Sequence, residues 1–535
     1  MGRFSVDKFK NDKIFTIVGK DLVCTDGITL NLKSLLKNYR AENFGELILA
    51  MRQRHGNKFP VEMRGNFSGF ICSEGGNKIL VFTDHLASKP VYYFHDDFSG
   101  ALIFASQLKA VAEGMRKAGF YPSLDFGGAY CMLTCGFMLG NRTLIKEVKK
   151  IPPGNVLFYK NGRILLEEYY KLSNTSYVSG EEKEIINELD VRFREAVKME
   201  YEKDAEYGYR HLATLSGGLD SRANVGFAYD MGFKSDCFTF SQTGSMDETI
   251  ARNICHDKKM NFTFYPLDGG DYFSKHVEDI INSNGGLMFY GGSAHMYNCM
   301  KSQSSKGFGM VHTGQIGDLV LGSYLRGGFH SPVDEKIWSK IVYSSKLVEK
   351  LKRFVDANEF KYENDELFAF YERCINGVFN GYRMAEQFAE YSSPFLFIDF
   401  LDYAMNIHPR IRFKERIYLK WLRQRLPGFS KYAWEKYGLS LKWPLFILEF
   451  YGKALAAYRK FIGGKRSSMN PTGYWWKTNP RLRQNIQRLF DESIDSLASY
   501  PEIMEDCKML FREGKLLEKT QAITLAKAVG MLGLK

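Results

Sequence analysis

The chain has 535 residues, 45% hydrophobic and 25% charged, which excludes disordered, collagen-like and coiled-coil compositions and leaves room for a large core. No run reaches the roughly 20 apolar residues of a spanning helix. The nearest, Trp443 to Tyr451, is too short and contains Glu449, so no integral membrane contact is expected. Lys plus Arg (73) outnumber Asp plus Glu (61), and the net charge of +12 points to an anionic partner.

The first residues run directly into charged Asp7, Lys8 and Lys10 without an apolar signal region, so a cytoplasmic location is expected. Nine scattered cysteines read as reduced thiols rather than a disulfide framework. The Cys131/Cys135 spacing can bring two thiols onto one helical face, but no second ligand pair accompanies them, so zinc is not expected there.

In chain order, Phe15 to Val18, Asn66 to Cys72, Lys78 to Thr83, Val91 to Phe94, Ala101 to Ala105 and Asn155 to Tyr159 are short apolar or alternating runs broken by Gly, Asn and Asp. That is the pattern of antiparallel sheet, with a few helices such as Phe44 to Arg54. A polar stretch from Lys171 to Lys183 marks a boundary. Beyond it, Ile185 to Tyr201 has helical spacing. The strand-like runs His211 to Leu215, Asp236 to Phe240, Phe262 to Pro266 and Gly309 to His312 then alternate with helical ones. Alternation of that kind predicts βαβ units and a mostly parallel sheet, which binds ligands at the carboxyl ends of its strands. From about Lys336 the chain reads as helical, and Leu439 to Trp476, rich in aromatic and basic residues, as a core-plus-surface helix pair in preference to a membrane-lying one. Arg410 to Lys431 carries eight basic residues against the single acid Glu415; a solvated face and a phosphate-facing surface are both open readings.

The most informative stretch is His211 to Arg222, in which an apolar strand enters Ser216-Gly217-Gly218-Leu219-Asp220-Ser221 and then a helix. Two glycines after a strand let the backbone approach a phosphate, the first N–H groups of the helix face that anion, and the Ser216 and Ser221 hydroxyls add donors. Asp220 is placed to hold Mg²⁺ against the same phosphates. There is no GxxxxGK[ST] string, which excludes a Walker-type loop.

This string resembles the pyrophosphate loop of the ATP pyrophosphatase superfamily. Ser245-Met-Asp-Glu after the strand ending at Phe240, Thr313-Gly-Gln-Ile-Gly-Asp318 and Pro394-Phe-Leu396 are similar to asparagine synthetase segments. Arg64 to Phe70, Thr83 to Tyr92, Phe104 to Val111 and Ile151 to Gly154 resemble the class II glutamine amidotransferase domain that precedes the synthetase domain there. The resemblance implies an α/β protein with an N-terminal Ntn-type αββα sandwich (1–172), a parallel-sheet ATP pyrophosphatase domain (184–445), and a helical extension (446–535). It implies ATP and Mg²⁺ as cofactors. Asp220 and Asp318 would be metal ligands and catalytic residues, and Leu215, Ser216, Gly217, Gly218, Asp220, Ser221, Phe240, Thr313, Gly314 and Gln315 would bind the nucleotide. Lys436 would serve the departing pyrophosphate, with Lys442 in reserve.

Two departures matter. Position 2 is Gly where active amidotransferases carry the Cys nucleophile, and Ser5 replaces it only after an unexpected cleavage, so glutamine hydrolysis is not expected. Gln315 and Leu319 stand where the family has acids, and an amide cannot accept a proton. The expected activity is a carbon–nitrogen ligase that adenylates a small-molecule, peptide or sugar-acid carboxylate with release of AMP and pyrophosphate, followed by attack of ammonia or an amine. β-lactam synthetases and lasso peptide cyclases resemble this architecture. The alternative is a catalytically silent nucleotide-binding scaffold. Nucleic acid is not an expected partner, and a homodimer is compatible with the sequence.

Overall fold

The computed structural model describes residues 6–303, 307–461 and 469–534. Gly2 and Ser5, on which the expectation about the nucleophile rests, lie outside the described residues. The amino-terminal part forms four layers. Strands β1 (Phe15–Val18), β2 (Asp21–Thr29), β3 (Gly65–Ser73), β4 (Lys78–Thr83), β8 (Asn155–Lys160) and β9 (Arg163–Glu168) make one antiparallel sheet in that spatial order, and β5 (Tyr92–His95), flanked by β6 (Leu102–Ala105) and β7 (Val148–Lys150), makes a second. Strand β4 shows why the sheets stack. Leu80 and Phe82 point to α1 (Leu32–Tyr39) and α2 (Phe44–His55), while Val81 meets Val91, Tyr93 and Leu157 between the sheets. With successive side chains on opposite faces, both must be apolar when both are covered. Helices α3 (Leu108–Lys117) and α4 (Phe126–Thr134) cover the second sheet.

Helix α5 (Glu182–Glu206) leads into a parallel sheet of order β12-β11-β10-β13-β14, formed by β10 (Arg210–Thr214), β11 (Ser235–Ser241), β12 (Phe262–Pro266), β13 (Phe308–His312) and β14 (Glu390–Ser392). The chain moves outward from β10 through α6 (Leu219–Asp230), β11 and α7 (Met246–Lys258) to β12, then returns to the other side of β10 with β13. That reversal opens a crevice between β10 and β13 at their carboxyl ends, where sheets of this kind bind ligands. β14 was not anticipated: three residues, Glu-Tyr-Ser, in a stretch read as helical are too short and polar to signal a strand.

The region after residue 336 is otherwise mainly helical, apart from a small hairpin of β15 (Ala433–Trp434) and β16 (Leu439–Ser440). The helices Pro480–Asp491, Pro501–Glu513 and Leu516–Leu532 share one core with α3 and α4, so the last part of the chain packs back onto the amino-terminal layers. Between the halves, Arg64 clasps Asp399 through two hydrogen bonds of 2.7 and 2.9 Å, and Lys13 and Lys89 both meet the buried Glu390 at 2.6 Å. Cys131 and Cys135 lie in the core, where burial pushes both thiols up, Cys135 to about 12. No helix among the described residues is long and apolar enough to cross a membrane.

Candidate functional site

The loop after β10 is shaped by its own polar groups. Ser216 N–H donates to Ser221 Oγ (3.0 Å), Gly218 N–H donates to Ser216 Oγ (3.1 Å), and the two hydroxyls lie 3.1 Å apart. The serine oxygens thus brace the turn as acceptors, and only one of the two O–H groups is used between them. Beside them lies the first turn of α6, whose N–H groups have no partner within the helix. Gly217 N–H donates to Asp247 Oδ1 (3.0 Å), at the start of α7, and a Cβ on Gly217 would lie 2.6 Å from that of Glu435. Arg222, 1% exposed, holds the loop from beneath, donating to the carbonyls of Gly217 (2.9 Å), Tyr432 (3.1 Å) and Ala433 (2.7 Å). Burial lowers its pKa to about 10, still charged at neutral pH.

The second loop, after β13, is pressed against the first. Asn224 Nδ2 donates to the Thr313 carbonyl (2.8 Å), and a Cβ on Gly314 would fall 2.2 Å from the Asp220 backbone. Ile316 adopts φ +67°, which costs a residue with a Cβ about 1–2 kcal/mol. Its side chain is 7% exposed, and burying it returns about 2 kcal/mol, so packing offsets the strain. The turn brings Asp318 to Asp220: Asp318 N–H donates to Asp220 Oδ2 (3.0 Å), Tyr418 O–H donates to Asp220 Oδ1 (2.8 Å), and Ser323 O–H donates to Asp318 Oδ2 (3.0 Å). Burial, and then the Asp318 charge, hold the Asp220 carboxyl well above the usual carboxylate range, against the two hydrogen bonds it accepts.

A third carboxylate, Glu415, joins this group. It is buried, its pKa is raised by burial and by Asp318 against the pull of Lys436, and it accepts a hydrogen bond from Lys436 Nζ (2.8 Å). Burial lowers the Lys436 pKa, but the Glu415 carboxylate outweighs it and the net shift is upward. Lys442 is exposed.

A crevice of about 300 Å³ lies over both loops. Leu215, Ser216, Gly218, Asp220, Ser221, Phe240, Thr313, Gly314 and Gln315 all line it, together with Asp247, Tyr382 and Met469. Gly217 sits behind the lining, and Asp318 and Lys436 lie beside the crevice with Glu415. Gln315 Oε1 is buried without a hydrogen-bond partner. Asp247 was within reach of sequence reasoning, being in the Ser245-Met-Asp-Glu segment, where Ser245 caps α7 by accepting from Glu248 N–H (3.2 Å). Glu415, Tyr382 and Met469 carried no signal, because they reach the site only through tertiary packing.

The basic stretch is mainly a solvated face, with Arg410, Lys414, Arg416, Lys420 and Lys431 exposed, and several of its charges meet partners within the molecule. Arg412 is buried and bidentate to Glu366 (2.8 Å each), Lys420 pairs with Glu182 (2.6 Å), Lys414 with Glu449 (2.8 Å), and Arg423 donates to the carbonyls of Leu441 and Trp443.

The electrostatics suit a divalent cation. The Asp220 carboxyl, whose pKa is raised first by burial and then by the Asp318 charge, lies beside a second carboxylate, and a hard dication would offset the charge that both groups bring.

Comparison with known proteins gives two family matches: a glutamine amidotransferase domain over residues 22–170 and asparagine synthase over residues 188–377. No curated protein matches the chain. Among solved structures, the allosteric regulatory enzyme of purine biosynthesis is 13% identical, with 44% of this chain and 48% of that chain covered and a TM-score of 0.21. Glutamine phosphoribosylpyrophosphate amidotransferase from B. subtilis, complexed with ADP and GMP, is 10% identical, with 68% of this chain and 78% of that chain covered and a TM-score of 0.23. The chain spans about half the length of the first of these.

Proposed function

From the asparagine synthetase-like two-domain architecture of this chain, we propose that it is an ATP-dependent amide-forming ligase that adenylates a substrate carboxylate and passes the acyl group to ammonia or an amine. The observation that carries this reading is the convergence of Asp220 and Asp318 beside a crevice at the point where the strand order reverses. Asp220 and Asp318 would hold Mg²⁺. When bound, that ion neutralises charge on the phosphates and eases departure of pyrophosphate. The chain's own part is positional and electrostatic. The α6 amino terminus presents N–H groups to an anion, Arg222 and Asp247 hold the loop in shape, and Lys436, paired with Glu415, brings a positive charge to the rim.

Glutamine hydrolysis is not part of this proposal. In the amidotransferase-type half, Asp84 is occupied with its own turn, accepting from the N–H groups of Leu86 (3.0 Å) and Ser88 (3.1 Å) and the Ser88 hydroxyl (2.6 Å), while Arg64 is clasped by Asp399. Both engagements support a structural role, with the nitrogen arriving as free ammonia or on the substrate. Gln315 favours a second reading, a silent nucleotide-binding scaffold, because its amide cannot take a proton from an attacking amine.

Exchange of labelled pyrophosphate into ATP, run with a panel of small, peptide and sugar acids, separates the two. Acid-dependent exchange that disappears in Asp220→Ala supports the ligase. Nucleotide binding without exchange for any acid supports the scaffold.

A further inference from the structure

A second cavity, which shares no lining residue with the crevice, lies between the amidotransferase-type half and the segment from Glu359 to Arg383. It has two parts. The outer cleft, about 360 Å³, is lined by the rings of Tyr170, Phe360, Tyr362 and Tyr371. Phe360, Tyr362 and Tyr371 form a ladder in which the first pair is 9° and the second 14° from parallel, with ring centres 6.5 and 5.4 Å apart. The inner part, about 30 Å³, has room for about two waters. Gly140, Lys150 and Asn376 line both parts, so Lys150 marks their junction.

The inner part carries two cations that lack a paired carboxylate. Arg383, 5% exposed, donates to the Tyr92 hydroxyl oxygen (2.7 Å) and the Ser106 carbonyl (2.9 Å), and its Nε is buried without a hydrogen-bond partner. Lys150 Nζ donates to the neutral amide of Asn376. Among the described residues neither cation is in an ion pair. Glu372, whose charge reaches Lys150, is taken up by Gly140 N–H (2.7 Å), Tyr362 O–H (2.5 Å) and Asn376 Nδ2 (2.9 Å), and burial lowers the Lys150 pKa to about 8 against its pull. Asn380 Oδ1, on the same lining, has no partner either; with the amide turned over, Nδ2 offers a donor there. Toward the mouth the charges balance: Lys171 pairs with Glu363 (3.4 Å), Arg142 with Glu359 (2.8 Å), and Lys361 offsets Glu168. Desolvated cations without a counter-charge are costly. A carboxylate relieves that cost, its two oxygens match the small inner space, and a flat ring suits the aromatic walls outside. We propose that this cavity binds an aromatic carboxylic acid, with the carboxylate inward at Lys150 and Arg383 and the ring outward among Phe360, Tyr362 and Tyr371.

The test is isothermal titration of the full chain, without nucleotide, with phenylacetate, 3-phenylpropanoate and 4-phenylbutanoate; the matching amides and acetate are controls. It reads binding alone, so it stands apart from the ligase reading. At least one acid should bind with a Kd below about 1 mM, and its amide and acetate at least about tenfold more weakly. Lys150→Met should weaken the acid at least about tenfold, and Phe360→Ala, at the mouth, about threefold, each with an unchanged circular dichroism spectrum. Saturating ATP and Mg²⁺ should leave the acid bound; displacement would place it in the crevice and overturn the proposal. So would absence of binding by all three acids, equal binding of the amide or of acetate, or unchanged binding by Lys150→Met or, where that variant does not fold, by Phe360→Ala.

Discussion

Replacing His312 by glutamine separates the electrostatics beneath the site from its packing. His312 ends β13, one residue before the loop that delivers Asp318, and is fully buried. Its Nε2 lies 2.8 Å from Asp204 Oδ2, its ring stacks on Tyr201 at 3.9 Å, and Glu200 Oε2 is 3.6 Å from Nδ1. Asp204 is held in turn by Met310 N–H (2.9 Å) and His211 Nδ1 (3.2 Å). Burial alone would lower the His312 pKa, but the charge of Asp204, the hydrogen bond to it and the nearby Glu200 carboxyl prevail and raise it from 6.5 to about 9. The folded chain therefore keeps a proton that the unfolded chain releases above pH 6.5. The resulting stabilisation is complete below that pH and lost as pH rises through about 9. A rise of about 2.5 units at about 1.4 kcal/mol each gives about 3 kcal/mol. Urea midpoints for wild type and His312→Gln, measured from pH 6 to 10, should show a gap that narrows by about that amount. Lys8 and Lys150, whose pKa values burial lowers to about 8, titrate in the same window with the opposite sign, but they are common to both proteins and cancel. A gap independent of pH would show that His312 is held by packing and not by its charge.

Three other outcomes are expected. Asp220→Asn should lower acid-dependent pyrophosphate exchange at least about 100-fold while raising the melting temperature of the metal-free protein, because it removes the desolvated charge facing Asp318; Mg²⁺ should stabilise wild type and not the variant in a thermal-shift assay. Arg222→Met leaves three carbonyls without their donor and should cost about 3 kcal/mol or more in chemical denaturation. Lys436→Met should slow exchange about 100-fold with little change in the KM for ATP, as expected of a charge that acts mainly on the leaving group; a change confined to KM would assign it to ground-state binding.

Much of this was legible in the sequence because the signals are short and local. Ser216 to Ser221 is a strand-to-helix turn whose glycines and hydroxyls bond one another within five residues, and the period-two pattern of Lys78 to Thr83 dictates a strand covered on both faces. Such features depend on neighbours along the chain, and propensity and patterning encode them directly. β14, by contrast, is strand only because β13 offers it an edge, and the basic run from Arg410 to Lys431 shows its use only once Glu366 and Glu182 are placed beside it.

The residues expected to grip a triphosphate are readable as types and spacings, since a turn that admits an anion needs small residues wherever it occurs. Their assembly is not. Asp220 and Asp318 stand 98 residues apart and meet because β13 inserts beside β10 and small residues let two backbones touch. Glu415, Tyr418 and Met469 arrive from still more distant segments. The crevice and the raised Asp220 pKa arise from long-range packing and desolvation, which no local pattern of residues carries.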